Sequence, residues 1–108
     1  MNYYDNNDLN VINEFRSYSP EQFDAFMNWN SKVFCDGALP RKVKELIAIA
    51  VAHAVQCPYC IDYHTRYGKE FGVTDAEMAE AIHAASVIRA GAAMWHSIQA
   101  IKILKEKK

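Results

Sequence analysis

Apolar residues in this chain recur mainly three and four positions apart, and stop signals cut the pattern into helix-sized pieces. Ser19-Pro20-Glu21-Gln22 reads as a helix start, with an N-cap serine, proline at the first position and glutamine at the capping-box position. Phe23, Phe26, Met27, Val33 and Phe34 then carry a stripe through about Cys35, and Asp36-Gly37 ends it. After Leu39-Pro40, the polar residues Arg41, Lys42, Lys44 and Glu45 cover one turn of the next element. Leu46 to Val55 is apolar on almost every side, the mark of a buried helix whose alanines allow close approach. A third helix is predicted from about Pro58 to Phe71, ending at Gly72. Thr74-Asp75-Ala76-Glu77 is a second capping box, opening a helix that turns Met78, Ala81, Ile82, Ala85 and Ile88 inward. Gly91 is placed to kink or split that helix. Ala92, Trp95, Ile98, Ile101 and Leu104 continue the pattern to the C-terminus.

Residues 1–18 have weaker helical spacing, confined to Asn10–Arg16, and read as an irregular N-terminal arm with one short helix at most. No strand run bounded by turns appears. The expectation is an all-α bundle of five to six helices, with a single domain over 19–108.

Composition adds one constraint. Of the 108 residues, 51% are hydrophobic, more than one small bundle can cover, so part of that surface is expected between subunits. Phe26, Trp29 and Trp95 belong to this surplus. The formal net charge of −1 gives no footprint for nucleic acid or an anionic membrane. The acidic, polar start is unlike a secretory signal, and Leu46–Val55 is too short to span a bilayer, so a soluble cytoplasmic protein is expected.

The chemistry concentrates in Cys57-Pro58-Tyr59-Cys60-Ile61-Asp62-Tyr63-His64. Proline favours the first position of a helix, which makes Cys57 the N-cap and puts Cys60 in the first turn, with His64 one turn further on the same face. Backbone N–H groups and the helix dipole favour an anion there, and an imidazole can accept or return a proton. In a reducing compartment such a pair points to catalysis or metal binding rather than a permanent staple, and three cysteines in all argue against a disulfide framework. Cys60, near both the helix terminus and His64, is expected to be the more easily ionised thiol. Glu45 enters the buried run twelve residues before Cys57 and needs a partner there, with His64 and a water molecule as the natural ones.

A zinc site is the rival reading. Cys57, Cys60 and His64 supply three ligands, with Glu45, Cys35 or water as a fourth, but one helical face is a poor clamp. Haem attachment fails because Ile61 follows Cys60, and a thioredoxin fold lacks its strands. Cys35 reads as a packed small hydrophobe, His53 as a hydrogen-bonded core or interface residue and His83 as exposed or interfacial. His96 could line the same cleft. Asp62 suits the first-turn dipole.

The pattern Glu45-x11-Cys57-x2-Cys60-x3-His64 in an all-helical chain resembles the alkylhydroperoxidase D-like branch of the carboxymuconolactone decarboxylase family, over roughly residues 20–100. The stretch Val51–Cys60 is also similar to small peroxidase-like members associated with arsenosugar biosynthesis. The resemblance implies that Cys60 attacks a hydroperoxide, Cys57 resolves the product as a disulfide, and His64 with Glu45, through water, relays protons. It implies no bound cofactor and no metal, and a trimer or a hexamer of dimers. The partners it implies are a hydroperoxide or disulfide substrate and a thiol reductant protein. A non-catalytic binding or assembly role on the same fold is the alternative. Two features depart from the peroxidase pattern: Tyr59 stands where those enzymes carry a histidine, and the chain holds one copy of a motif they repeat. The decarboxylases of the family lack the cysteine pair.

Overall fold

A computed structural model describes Asp5 and residues 7–106, with the backbone alone at Leu9. Readings that concern residues 1–4, 6, 107 and 108 lie outside the described residues. Six helices follow one another: α1 (Asp8–Tyr18), α2 (Pro20–Val33), α3 (Arg41–Ala54), α4 (Pro58–Glu70), α5 (Asp75–Trp95) and α6 (Ser97–Leu104). No strand occurs among the described residues, and the fold is all-α.

The core is small and lies where α3 meets α4 and α5. Ile49 and Ala52 of α3, Val73 of the α4–α5 turn and Ala85 of α5 are its buried apolar side chains. Gly68 lets α4 come close, since a Cβ there would stand 3.2 Å from Ile49 Cδ1 and 3.4 Å from Val73 Cγ2. One face of α3 is bare. Ile47, Val51 and Val55 are exposed, so the reading of Leu46–Val55 as buried on almost every side does not hold within one protomer. Neither α2 nor α6 buries any residue. Phe26, Trp29, Trp95 and Leu104 all face outward. The radius of gyration is 18.6 Å, against about 13 Å for a compact chain of this length.

Four local readings change. The N-terminal arm is helical from Asp8 onward, because α1 packs on α2. Arg16 holds Asp24 through two 2.7 Å hydrogen bonds, and Phe15 meets Phe23 edge-on at 6.4 Å. Ser19 does precede α2, but its side chain makes no cap hydrogen bond, so the first capping box is not formed. Gly91 leaves α5 continuous, and the break falls at His96 instead. The second capping box forms in full between Thr74 and Glu77. Lys44 joins α2 to α3 by donating to the carbonyls of Val33 and Cys35 at 2.7 and 2.6 Å. Cys35 itself is exposed, with its thiol on the Ser31 carbonyl at 3.2 Å, and is not packed in the core.

Candidate functional site

Helix α3 ends in a tight turn that delivers the first cysteine. Cys57 donates its N–H to the Ala52 carbonyl (3.0 Å) and Gln56 donates to that of His53 (3.3 Å), the two bonds of a Schellman turn. Gln56 takes the left-handed conformation this turn requires, with φ of 59°. Pro58 then starts α4, and Cys57 is its N-cap, its sulfur accepting the Cys60 N–H at 3.3 Å. The cysteines stand at the helix terminus in the positions their spacing suggested, both as free thiols.

The Cys60 thiol departs from what the spacing suggested. Burial, then the neighbouring Cys57 sulfur, push the Cys60 thiol up to about 11. The helix N-terminus therefore does not make Cys60 an easily ionised thiol in the resting dithiol. Burial is the leading cause, and the Cys57 sulfur, which accepts the Cys60 N–H as the N-cap, adds to it.

One turn beyond Cys60, His64 meets Glu45 directly. Its Nδ1 donates to Glu45 Oε1 at 2.8 Å, so no water separates them. A carboxylate can only accept, which places the ring proton on Nδ1 and leaves the Nε2 lone pair available in the neutral imidazole. Glu45 is wholly buried, and its other oxygen accepts from Arg41 Nε at 2.7 Å. The His64 ring lies against Phe34, centroid to centroid 4.9 Å, and Tyr63 meets its edge at 5.0 Å. Among the described residues no buried side-chain polar atom lacks a partner.

Cys60 and His64 together line two grooves. One, about 640 Å³, runs between the end of α2 and the exposed face of α3, past Val33, Ile47, Val51 and Val55. The other, about 690 Å³, runs between α1, α2 and the start of α4, past Phe15, Phe23, Phe26 and Tyr63. Both are walled mainly by apolar side chains. Tyr59 reaches the second, and its hydroxyl donates to Asp8 of α1 at 3.2 Å.

Other sequence readings fall away from the site. His53 is half-buried, its Nδ1 donating to the Ile49 carbonyl at 2.8 Å. His83 is exposed. His96 is also exposed, caps its own helix through the Ala92 carbonyl and lines neither groove. Asp62 pairs with Arg66 at 2.9 Å. Among the described residues no three acidic, cysteine or histidine groups are placed to hold a metal ion. Glu45, offered above as a fourth zinc ligand, is taken up by Arg41 and His64. Arg41 and Phe34 had not been singled out for the site. Arg41 carried a signal, opposite charge four residues before Glu45 on one helix. Phe34 carried none, because its place follows from how α2 folds back.

Comparison with known proteins places the chain in a family. An uncharacterised protein of the cox locus of Paracoccus denitrificans is 46% identical over 83 residues, which is 77% of this chain and 75% of that one. An alkyl hydroperoxide reductase of Mycobacterium tuberculosis is 44% identical over 43 residues, 40% of this chain and 12% of that protein. A solved carboxymuconolactone decarboxylase family protein from Legionella pneumophila superposes with a TM-score of 0.72 at 31% identity, covering 89% of this chain and 86% of that one. Another family member, from Thermotoga maritima and a candidate for the antioxidative response, gives 0.61 at 30% identity, covering 78% and 87%. The sequence profile of the family matches residues 20–102, from the first residue of α2 into α6 and across Glu45, both cysteines and His64. This chain belongs to the carboxymuconolactone decarboxylase family.

Proposed function

We propose that the protein is a thiol peroxidase that reduces organic hydroperoxides through Cys57 and Cys60, with His64 and Glu45 as the proton relay. The observation that carries the reading is the 2.8 Å bond from His64 Nδ1 to the buried Glu45, one turn from a cysteine pair at a helix N-terminus. A thiol pushed up to about 11 is almost wholly protonated at neutral pH, so it needs a base at the moment of attack. His64 Nε2 takes the Cys60 proton. The thiolate attacks the terminal peroxide oxygen, the O–O bond breaks and sulfur is oxidised to sulfenic acid. The departing alkoxide takes the proton from His64 and leaves as an alcohol. Cys57 then attacks the Cys60 sulfur and a disulfide closes, while the hydroxyl leaves as water with the Cys57 proton. A thiol reductant protein restores the pair by exchange and is itself oxidised to a disulfide. The apolar walls of both grooves favour an alkyl or other apolar hydroperoxide. The alkyl hydroperoxide reductase relative and the antioxidative-response neighbour support the same chemistry.

The working form is a homo-oligomer, a trimer or a hexamer of dimers. The extended shape and the bare apolar faces of α2, α3 and α6 support this, since such surface is ordinarily covered.

A second assignment, with Cys57 attacking and Cys60 resolving, draws on the N-cap bond to the Cys57 sulfur. Single-cysteine variants decide. With one equivalent of cumene hydroperoxide, the wild type should form one Cys57–Cys60 disulfide per chain, Cys57→Ser should accumulate a trappable sulfenic acid on Cys60, and Cys60→Ser should not. Sulfenic acid on Cys57 alone would exchange the two roles. No disulfide in the wild type would leave a non-catalytic member of the family. Alkylation of the wild-type dithiol against pH should show its upper step near 11, from Cys60.

A further inference from the structure

We propose that Arg41 is the positioning residue of the relay, holding the Glu45 carboxylate so that the His64 proton stays on Nδ1 and Nε2 stays free to act as base. This rests on the reading of Glu45 and His64 as a proton relay. Glu45 has no exposed surface and two hydrogen-bond partners, His64 on Oε1 and Arg41 on Oε2. A wholly buried carboxylate is costly unless its charge is matched, and a guanidinium matches it at every working pH because it does not deprotonate.

Arg41 is itself locked in place. Its guanidinium carbon stands 4.2 Å from the centre of the Phe71 ring, at the far end of α4, and 5.4 Å from that of Phe34, the ring that stacks on His64. Its backbone N–H, at the first position of α3, donates to Asp36 Oδ1 at 2.6 Å. Stacking on aromatic faces suits a flat guanidinium and would suit an ammonium less well. The cation is thus fixed from α2, α3 and α4 at once.

The alternative that Arg41 excludes is a specific one. If Glu45 carried a proton, the carboxylic acid would donate to Nδ1 and the ring proton would move to Nε2. Hydrogen bonding between the two side chains would survive, but Nε2 would be a donor and not a base. Arg41 therefore selects, without touching substrate, the arrangement that holds one proton fewer and leaves Nε2 unprotonated.

Ring ¹⁵N shifts of His64 in the neutral state test this independently of any peroxidase activity. The wild type and Arg41→Lys should show the proton on Nδ1, whereas Arg41→Gln should carry it on Nε2 in at least half of the molecules. Arg41→Gln should also form the disulfide with peroxide at least tenfold more slowly. Because Arg41→Gln alone strands a buried charge, the Glu45→Gln and Glu45→Gln/Arg41→Gln pair is compared as well. There the charge is gone, so adding Arg41→Gln should change the rate less than twofold. A folded Arg41→Gln protein that keeps the proton on Nδ1 overturns the proposal. So does a tenfold further loss in the Glu45→Gln background, which would mean that Arg41 acts otherwise than through Glu45. A tautomer shift in a protein that reduces no peroxide would uphold the positioning role and remove the peroxidase reading alone.

Discussion

The two ends of α4 are built by the same backbone turn and used for opposite purposes. At each end the preceding helix closes with a Schellman pair: Cys57 to Ala52 and Gln56 to His53 before α4, Val73 to Gly68 and Gly72 to Lys69 after it. The later turn follows every rule for stability. Glycine occupies the left-handed position with φ of 89°, the next residue, Val73, is buried against Ile49 and Gly68, and Thr74 opens α5 with a full capping box. The earlier turn departs from those rules at each position. Glutamine holds the left-handed conformation, the residue after it carries a half-buried thiol, and the cap is a sulfur. One end of the helix anchors it and the other end presents its chemistry, so changes at the two ends should separate activity from stability.

The largest effect expected is on activity at the N-terminal side. His64→Ala should slow peroxide-driven disulfide formation by about a hundredfold, the usual loss for a positioned acid–base group, and Glu45→Gln should approach it. Stopped-flow tryptophan fluorescence against peroxide concentration measures this, with circular dichroism as the control for fold. Unchanged rates in both variants would leave a reactive cysteine pair with no relay.

At the anchoring end the expected pattern is inverted. Val73→Ala removes two methyl groups from the small core beside Gly68 and should cost about 2 kcal/mol of stability. Thr74→Ala should cost about 1 kcal/mol through the lost cap. Denaturant unfolding at one fixed protein concentration reads both, because an assembling protein's stability depends on concentration. Rates per folded molecule should stay within twofold of wild type. A loss of activity beyond that in Val73→Ala would mean that the two ends of α4 are not separable.

How much of this was legible beforehand follows from where each signal resides. Turns and caps are local, so Pro58, Gly72 and Thr74 announced both ends of α4 and the start of α5 almost to the residue. Cys57, Cys60 and His64 share a face by helical period alone, and Glu45 was suspected because a carboxylate entering an apolar run needs a partner. The direct contact of Glu45 with His64, without water, depends on how closely α3 and α4 approach, which Gly68 permits and spacing does not reveal. The path of α1 and α2 was obscure for another reason. Their apolar residues are largely exposed in the protomer, so periodicity there encodes a surface and not a core. The same ambiguity made Leu46–Val55 look buried on all sides when one face is bare.

Gln56 provides the smallest and sharpest test of the contrast. A side chain in the left-handed region costs on the order of 1 kcal/mol, and glycine relieves that strain while adding about 0.5 kcal/mol of unfolded-state entropy to be lost on folding. Gln56→Gly should therefore stabilise the protein by roughly 0.5 kcal/mol, raising its melting temperature by about 2–4 °C at fixed protein concentration. Both Schellman bonds use backbone atoms, so glycine keeps them, and Cys57 should still arrive at the N-cap with its sulfur on the Cys60 N–H. Peroxide-driven disulfide formation should accordingly remain within twofold of wild type. Gln56→Ala, which keeps the strain, should show no gain in stability and serves as the control. A gain in stability coupled to a large loss of rate would mean that the stiffer glutamine turn holds the thiol pair in register. In that case the strain at the chemical end of α4 would be part of the mechanism, and the contrast between its two ends would extend from composition to the reaction itself.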